Sequence, residues 1–69
     1  MYSHREVIGE YVKDNLKAEI VKYSYGSKDD FQINFYEDDK MIAIETYVDH
    51  SLRYYEDAAE NYVKGIKKV

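Results

Sequence analysis

The chain has 69 residues, with fourteen acidic and ten basic side chains and a formal net charge of −4 at pH 7. It contains no cysteine, which excludes a disulfide framework and a thiolate metal site. A chain this short buries only about 60% of its unfolded surface, so we expect one domain over residues 1–69 without a deep catalytic pocket. No apolar run approaches the roughly 20 residues of a membrane span, and no signal peptide follows Met1, so the sequence predicts a cytoplasmic protein.

The first segment has the pattern of an amphipathic helix. Ser3 and Glu6 fit a capping box, and apolar residues recur after them at helical spacing. Asn15 tolerates the left-handed conformation that often ends a helix. The pattern predicts a helix over residues 4–15 with an apolar stripe of Val7, Ile8, Tyr11, Val12 and Leu16.

Three segments with alternating apolar side chains come next. They predict strands over residues 18–25, 31–36 and 41–48. In the predicted pairing Tyr25 lies opposite Phe31, and every core-facing residue meets another core-facing residue. That predicted core face consists of Val21, Tyr23, Tyr25, Phe31, Ile33, Phe35, Ile42, Ile44, Thr46 and Val48.

The last segment predicts a second helix, capped by Asp49 or Ser51. Its apolar stripe of Leu52, Tyr55, Ala59, Tyr62 and Ile66 steps by three and four residues. The order α-β-β-β-α therefore predicts an α+β domain, a three-stranded antiparallel sheet with both helices packed on one face.

The sheet face away from the helices carries a small apolar patch in this prediction. Ile20, Tyr36 and Met41 come together there. Two interpretations stay open for the patch: ordinary exposed apolar surface, or a face for a homodimer or another partner.

The charge is distributed unevenly along the chain. Residues 29–60 contain ten acidic side chains against only Lys40 and Arg53, a net charge of −8. Such a segment repels nucleic acid and attracts cationic surfaces. A plain solubilising surface is the alternative, and aspartate also suits turns and caps by itself.

The acidic segment nominates a partner-binding surface. Two tyrosines outside the predicted core are candidate anchors, because tyrosine is enriched in binding hot spots. The nominated residues are Asp29, Asp30, Tyr36, Glu37, Asp38, Asp39, Asp49, Tyr54, Glu56, Asp57 and Glu60.

Catalytic and metal chemistry has little support in the sequence. His4 and His50 are the only imidazoles, and neither has the clustered spacing of zinc ligands. The acidic pairs lack the alternating oxygens and the glycine of a calcium loop, and no phosphate loop or nucleophile elbow is present. We expect a non-enzymatic protein without a cofactor.

The predicted element order resembles that of a double-stranded-RNA-binding domain. That family contacts RNA phosphates through a lysine cluster at the start of its second helix. The matching stretch here, residues 49–57, has Arg53 as its only lysine or arginine and three acidic residues. Phosphate contacts need cations, so direct nucleic-acid binding is not expected, and a degenerate binding domain of this type is an alternative only.

Size, acidity, nine tyrosines and the absence of cysteine resemble small phage host-takeover proteins. Some members of that group imitate DNA and block a DNA-binding protein, for example the bacterial histone-like protein HU. The resemblance implies an inhibitor in the host cytoplasm whose partner is a basic, HU-like nucleic-acid-binding protein. The alternative is a homodimeric structural or regulatory module that uses the exposed sheet face.

Overall fold

The computed structural model describes residues 4–25, 28–47 and 50–69. These residues form an antiparallel sheet in the order β1-β2-β3-β4 and one helix that packs on a single face of it. The elements are β1 His4–Lys13, β2 Leu16–Tyr25, β3 Lys28–Glu37, β4 Lys40–Glu45 and α1 Leu52–Val63. The α+β class is correct, but the predicted α-β-β-β-α order with three strands and two helices is wrong.

The segment predicted as the first helix is strand β1. A bulge at Ile8 shifts its pairing with β2 between Val7 and Gly9. Because the bulge interrupts strict alternation, Val7 and Val12 lie on the same face of the sheet although they are five positions apart. Irregular apolar spacing of this kind also fits a helix, which explains the error. A two-residue hairpin turn at 14–15 replaces the predicted helix end.

The predicted faces of β2 are reversed. Tyr25 lies opposite Lys28, three residues earlier than predicted. Because the shift is an odd number of residues, each side chain of β2 moves to the other face. Ile20 is therefore buried beneath α1, and Val21 and Tyr23 lie on the side of the sheet away from the helix.

Strand β4 pairs with β3 from Lys40 onward as predicted, but a bulge at Ile42 changes the register beyond it. Phe35 therefore lies opposite Ala43, and Ile44 is exposed on the other face. The other two residues that were predicted to face the core are not part of β4. Thr46 follows the end of the strand, and Val48 lies outside the described residues.

The core lies between α1 and the helix-facing side of the sheet. The buried ring of Phe35 meets Tyr62 at 4.8 Å between centroids, and the Tyr62 hydroxyl donates to the backbone carbonyl of Tyr36 at 2.9 Å. The Tyr55 hydroxyl donates to the carbonyl of Tyr47 at 2.8 Å. Both buried hydroxyls are thus hydrogen-bonded, which offsets the cost of removing them from water. The buried cluster is Ala18, Ile20, Ile33, Phe35, Tyr55, Ala59, Tyr62 and Val63.

Helix α1 begins after Ser51 and is followed by Gly65, which takes a left-handed φ of 81°. Ser51 occupies a predicted cap position, but its side chain makes no capping hydrogen bond. Beyond the helix, the N–H of Ile66 donates to the carbonyl of Asn61 at 2.9 Å and closes the last turn. Ile66 is exposed, so it does not belong to the buried stripe predicted for this helix.

We expect Gly65→Ala to destabilise the protein by about 1 kcal/mol. A β-carbon at Gly65 meets no atom within 4 Å, so the cost comes from the left-handed backbone and not from a clash. Urea unfolding followed by circular dichroism measures the change. Gly65→Asn is the matched control, because asparagine tolerates this conformation and should lose less. Equal losses in the two variants would contradict this explanation.

The observed order β-β-β-β-α is not the order on which the resemblance to a double-stranded-RNA-binding domain depended. Topology therefore gives that resemblance no support. No helix in the three described ranges is long and apolar enough to cross a membrane.

Candidate acidic interface

Two hairpin turns meet at one end of the sheet. The β1–β2 turn consists of Asp14 and Asn15, and the β3–β4 turn consists of Asp38 and Asp39. The backbone N–H of Asp38 donates to the carbonyl of Asn15 at 2.9 Å, and the Asn15 side-chain amide donates to the Asp38 carboxylate at 3.1 Å. We call Asp14, Asn15, Asp38 and Asp39 the turn end. Its three exposed carboxylates belong to two turns that are hydrogen-bonded to each other.

Backbone conformation explains part of this composition. Asp14, Asp38 and Asp39 have φ values of 55°, 53° and 67°, in the left-handed region. Glycine, asparagine and aspartate are the residues that accept such turns, and asparagine and glycine do so without charge. The fold therefore requires a small polar residue or glycine at these positions, but it does not require a carboxylate at all three.

A second group of acids lies on α1. Glu56, Asp57 and Glu60 are all exposed. Burial raises the pKa of the Tyr11 phenol on the neighbouring strand β1, and these three carboxylates raise it further because they disfavour the phenolate. They therefore lie close enough to one another to act on a single group.

Part of the helix charge is already neutralised. Lys64 donates to the carboxylate of Glu60 at 2.8 Å, one turn along α1. This hydrogen bond and the charge of Lys64 hold the pKa of Glu60 below its ordinary value. The helix therefore offers a partner less free negative charge than the sequence suggests.

The remaining predicted acids lie elsewhere. Asp29 is at the opposite end of β3 from Glu37, about 26 Å away on an extended strand. Its carboxylate accepts from Ser24 at 3.0 Å and lies 3.7 Å from the Lys22 amine. Asp30 is the next residue of that strand end, and Asp49 lies outside the described residues. The predicted surface thus divides into the turn end, the helix acids and the Asp29 end.

Tyr36 lies on the face of the sheet away from α1, within a polar network. Its hydroxyl donates to the Glu19 carboxylate at 2.8 Å, and the Lys17 amine lies 3.6 Å from the same carboxylate and 5.0 Å from the Tyr36 ring. The hydrogen bond to Glu19 raises the pKa of Tyr36, and burial adds to the shift. Met41 is its cross-strand neighbour, but Ile20 lies on the opposite face, so the predicted three-residue patch does not form.

Tyr54 lies at the start of α1 in an aromatic group in which Tyr54 and His50 are exposed and Tyr47 is half-buried. Its ring stacks on His50 at 3.9 Å between centroids and meets Tyr47 edge-on at 4.9 Å. Burial raises the pKa of Tyr47, and a hydrogen bond to Glu45 raises it further. Tyr54 lies far from the turn end. Tyr62, two turns later in α1, packs on Phe35, which lies near the end of β3 that leads into the Asp38 turn, so the start of α1 lies toward the opposite end of the sheet.

The sequence prediction missed Asp14 and Asn15. Both were assigned to the end of a helix, so their position next to the Asp38 turn was not expected. The signal that identifies them is two short polar pairs flanked by segments rich in valine, isoleucine and tyrosine, which is typical of hairpin turns. No cluster of three or more potential metal ligands occurs among the described residues.

Comparisons with protein-family models, with curated proteins and with solved structures find no match for the chain.

Proposed function

We propose that the protein is a non-enzymatic inhibitor that binds the basic, nucleic-acid-binding surface of another protein and competes with nucleic acid for it. The observation that carries this proposal is the turn end, where three exposed carboxylates belong to two hydrogen-bonded hairpin turns. Fixed carboxylates can take the place of phosphates opposite lysine and arginine, and complementary fields speed the encounter. The proposed partner is a basic protein of the HU kind, in the cytoplasm of a bacterial host.

The composition of the turns supports a role for the charge itself. Asp38 and Asp39 are adjacent like charges in a tight turn, where an asparagine–glycine pair would satisfy the backbone without repulsion. Binding to a cationic surface accounts for aspartate at these positions. Direct contact with nucleic acid is not expected, because the same charges repel phosphates.

The test is a competition experiment with purified histone-like protein HU and a fluorescently labelled DNA duplex. We expect the wild-type chain to release DNA and lower its fluorescence anisotropy, and to do so less well as salt is raised. The triple variant Asp14→Asn, Asp38→Asn, Asp39→Asn keeps residues that suit left-handed turns and removes three charges. At about 0.5 kcal/mol for each exposed charge, it should need about tenfold more protein for the same release.

Two further variants replace other carboxylates with uncharged amides, and they distinguish the contribution of the turn end to binding from that of the other acids. Glu56→Gln, Asp57→Asn, Glu60→Gln removes three charges on α1, and Asp29→Asn, Asp30→Asn removes two at the far end of β3. We expect smaller losses of competition from both. Equal competition by the wild type and the turn-end variant would refute the assignment of the turn end, and no release of DNA by the wild type would refute the HU-like partner.

A further inference from the structure

The side of the sheet turned away from α1, which we call the open face, has two apolar margins. Val7 and Val12 lie along β1, and Met41 and Ile44 lie along β4. Val12 is 62% exposed and Ile44 is 54% exposed, and the other two are also exposed. Four of the large exposed apolar residues thus share one face, at its two margins.

The centre of the open face is polar and already ordered. Glu19 accepts from Tyr36 and lies 3.6 Å from Lys17, and the Gln32 side chain donates to Asn34 at 2.8 Å. Asn34 is only 2% exposed although no helix covers it, because neighbouring side chains lie over it. Few rotamers remain to be frozen when another surface packs here, which reduces the entropic cost of association.

The open face has the size of a stable interface. Strands β1, β2 and β3 have ten residues each and extend about 33 Å, and four strands at about 4.8 Å spacing span about 19 Å, so the face covers about 600 Å². That area lies at the lower end of what each partner contributes to a stable protein interface, about 600–1,000 Å². Of the side chains that the structure describes on this face, two are cations, Arg5 and Lys17, and three are carboxylates, so their net charge is small. Two copies can therefore approach through it with little net repulsion.

The edges of the sheet are less suited to self-association. Both edge strands contain a bulge, at Ile8 in β1 and at Ile42 in β4. Bulges in edge strands interrupt the row of backbone groups that another strand would pair with. The flat face, and not an edge, is thus the surface available to a second copy.

We propose that the protein forms a homodimer through the open face, with the sheets of two copies stacked about a two-fold axis parallel to the strands. Such an axis sets β1 of one copy over β4 of the other and keeps the rows of side chains aligned. Stacked sheets lie about 10 Å apart, with their strands within about 30° of each other.

This orientation sets complementary side chains opposite one another. Val12 of each copy lies over Met41 of the other, so that apolar margins meet. Lys17 lies over Tyr36, which suits a cation–π contact. In the next row Glu10 lies over Ile44, so the complementary contacts are those of the Val12 row, and toward the other end of the sheet Tyr23 lies over Asp30.

The same axis brings both turn ends to one end of the dimer. If the turn end binds a basic surface as proposed above, the dimer doubles the number of fixed carboxylates presented there. The dimer itself does not depend on that function, because it is argued from the open face alone. A binding partner with cations on two adjacent sites would gain affinity from the pairing.

Sedimentation equilibrium of the purified chain, without any partner, tests the proposal. At about 100 μM, where a micromolar affinity is saturating, we expect twice the chain mass of 8.2 kDa. Ile44→Glu puts a charge on the open face and should weaken association at least tenfold. Ile66→Glu is the matched control, because Ile66 is 69% exposed in the tail after α1, and it should remain dimeric. Circular dichroism confirms that both variants fold.

Cross-linking tests the orientation. The chain has no cysteine, so Val12→Cys and Met41→Cys introduce unique reactive sites. We expect a short bismaleimide to join a mixture of the two single variants more efficiently than either variant with itself. A monomeric wild type, or a dimer unaffected by Ile44→Glu, would overturn the open-face dimer, and preferential Val12→Cys self-linking would overturn the axis. None of these outcomes involves the turn-end carboxylates, so the two proposals fail separately.

Discussion

Replacing Phe35 with alanine is expected to abolish cooperative folding. Phe35 is completely buried two residues before the end of β3, and its ring meets Tyr62 of α1 at 4.8 Å. Truncation of a buried phenylalanine costs about 3–5 kcal/mol, from lost burial and from the cavity left behind. A single hydrophobic core in a chain below about 70–80 residues rarely supplies more than about 3–5 kcal/mol of stability, so the loss consumes most of it.

Near-ultraviolet circular dichroism and urea unfolding measure this outcome. We expect the tyrosine signal of the folded state to vanish. We also expect the urea unfolding curve to have no folded-state baseline, because the variant is already unfolded at low urea. Ile66→Ala is the control, because Ile66 is mostly exposed and lies outside both the core and the open face, so its truncation should change stability by less than about 0.5 kcal/mol. A Phe35→Ala variant with a normal transition midpoint would mean that the packing of α1 on β3 is not what holds the domain together.

The structure of β3 and of the C-terminal helix could be predicted because their patterns are regular. Phe31, Ile33 and Phe35 alternate without interruption and all face α1. The apolar stripe of α1 repeats over three turns from Leu52 to Tyr62, and a helix is found there. Where apolar residues recur with one regular spacing, the face that they form can be predicted from the sequence.

The rest of the fold could not be predicted because both edge strands contain bulges. The extra residue at Ile8 gave β1 the spacing of a helix, and that at Ile42 moved Ile44 from the predicted core to the open face. The face of β2 depended on the length of a polar turn, which the sequence does not determine. Because the sequence at 14–15 also fits a helix end, the contact of this turn with the Asp38 turn could not be predicted either.

The positions of the acidic residues in the candidate site could also be predicted only in part from the sequence. Charge along the sequence nominates acids within residues 29–60 as binding residues without showing whether they converge, and an extended β3 separates Asp29 from Glu37 by about 26 Å. Charge density along a chain does not report density on a surface, because strands carry neighbouring residues apart and hairpin turns bring distant ones together. The turn end arises from the second effect.

Replacing Glu19 with glutamine is expected to destabilise the protein by about 1–2 kcal/mol at pH 7. Glu19 is the centre of the polar network on the open face and accepts from the Tyr36 hydroxyl at 2.8 Å. Its side chain is 16% exposed, and the Lys17 amine lies 3.6 Å away. Hydrogen bonds to a charged group contribute about 1.5–3 kcal/mol against about 0.5–1.5 for neutral pairs, and the difference is the expected loss.

The pH dependence identifies the charge as the cause. Burial is the largest single influence on Glu19 and opposes its ionisation, but the Tyr36 hydrogen bond and the charge of Lys17 outweigh it, so the pKa of Glu19 lies below its ordinary value. A carboxylate whose folded-state pKa is lowered contributes stability above its unfolded pKa of about 4.3, and this contribution is lost as the pH falls through the folded-state pKa. The difference between the wild type and Glu19→Gln should therefore be constant near pH 7 and shrink below about pH 4.5.

Glu10→Gln is the control for this comparison, because Glu10 contacts the same lysine at 3.4 Å but its side chain is 54% exposed. We expect a loss below about 0.5 kcal/mol, since exposed ion pairs contribute little. Urea unfolding at a series of pH values from 7 to about 3.5 gives the free energies for all three proteins. A Glu19→Gln difference that stays the same across this range would show that the amide disturbs packing on the open face, and that the ionised carboxylate adds no stability of its own.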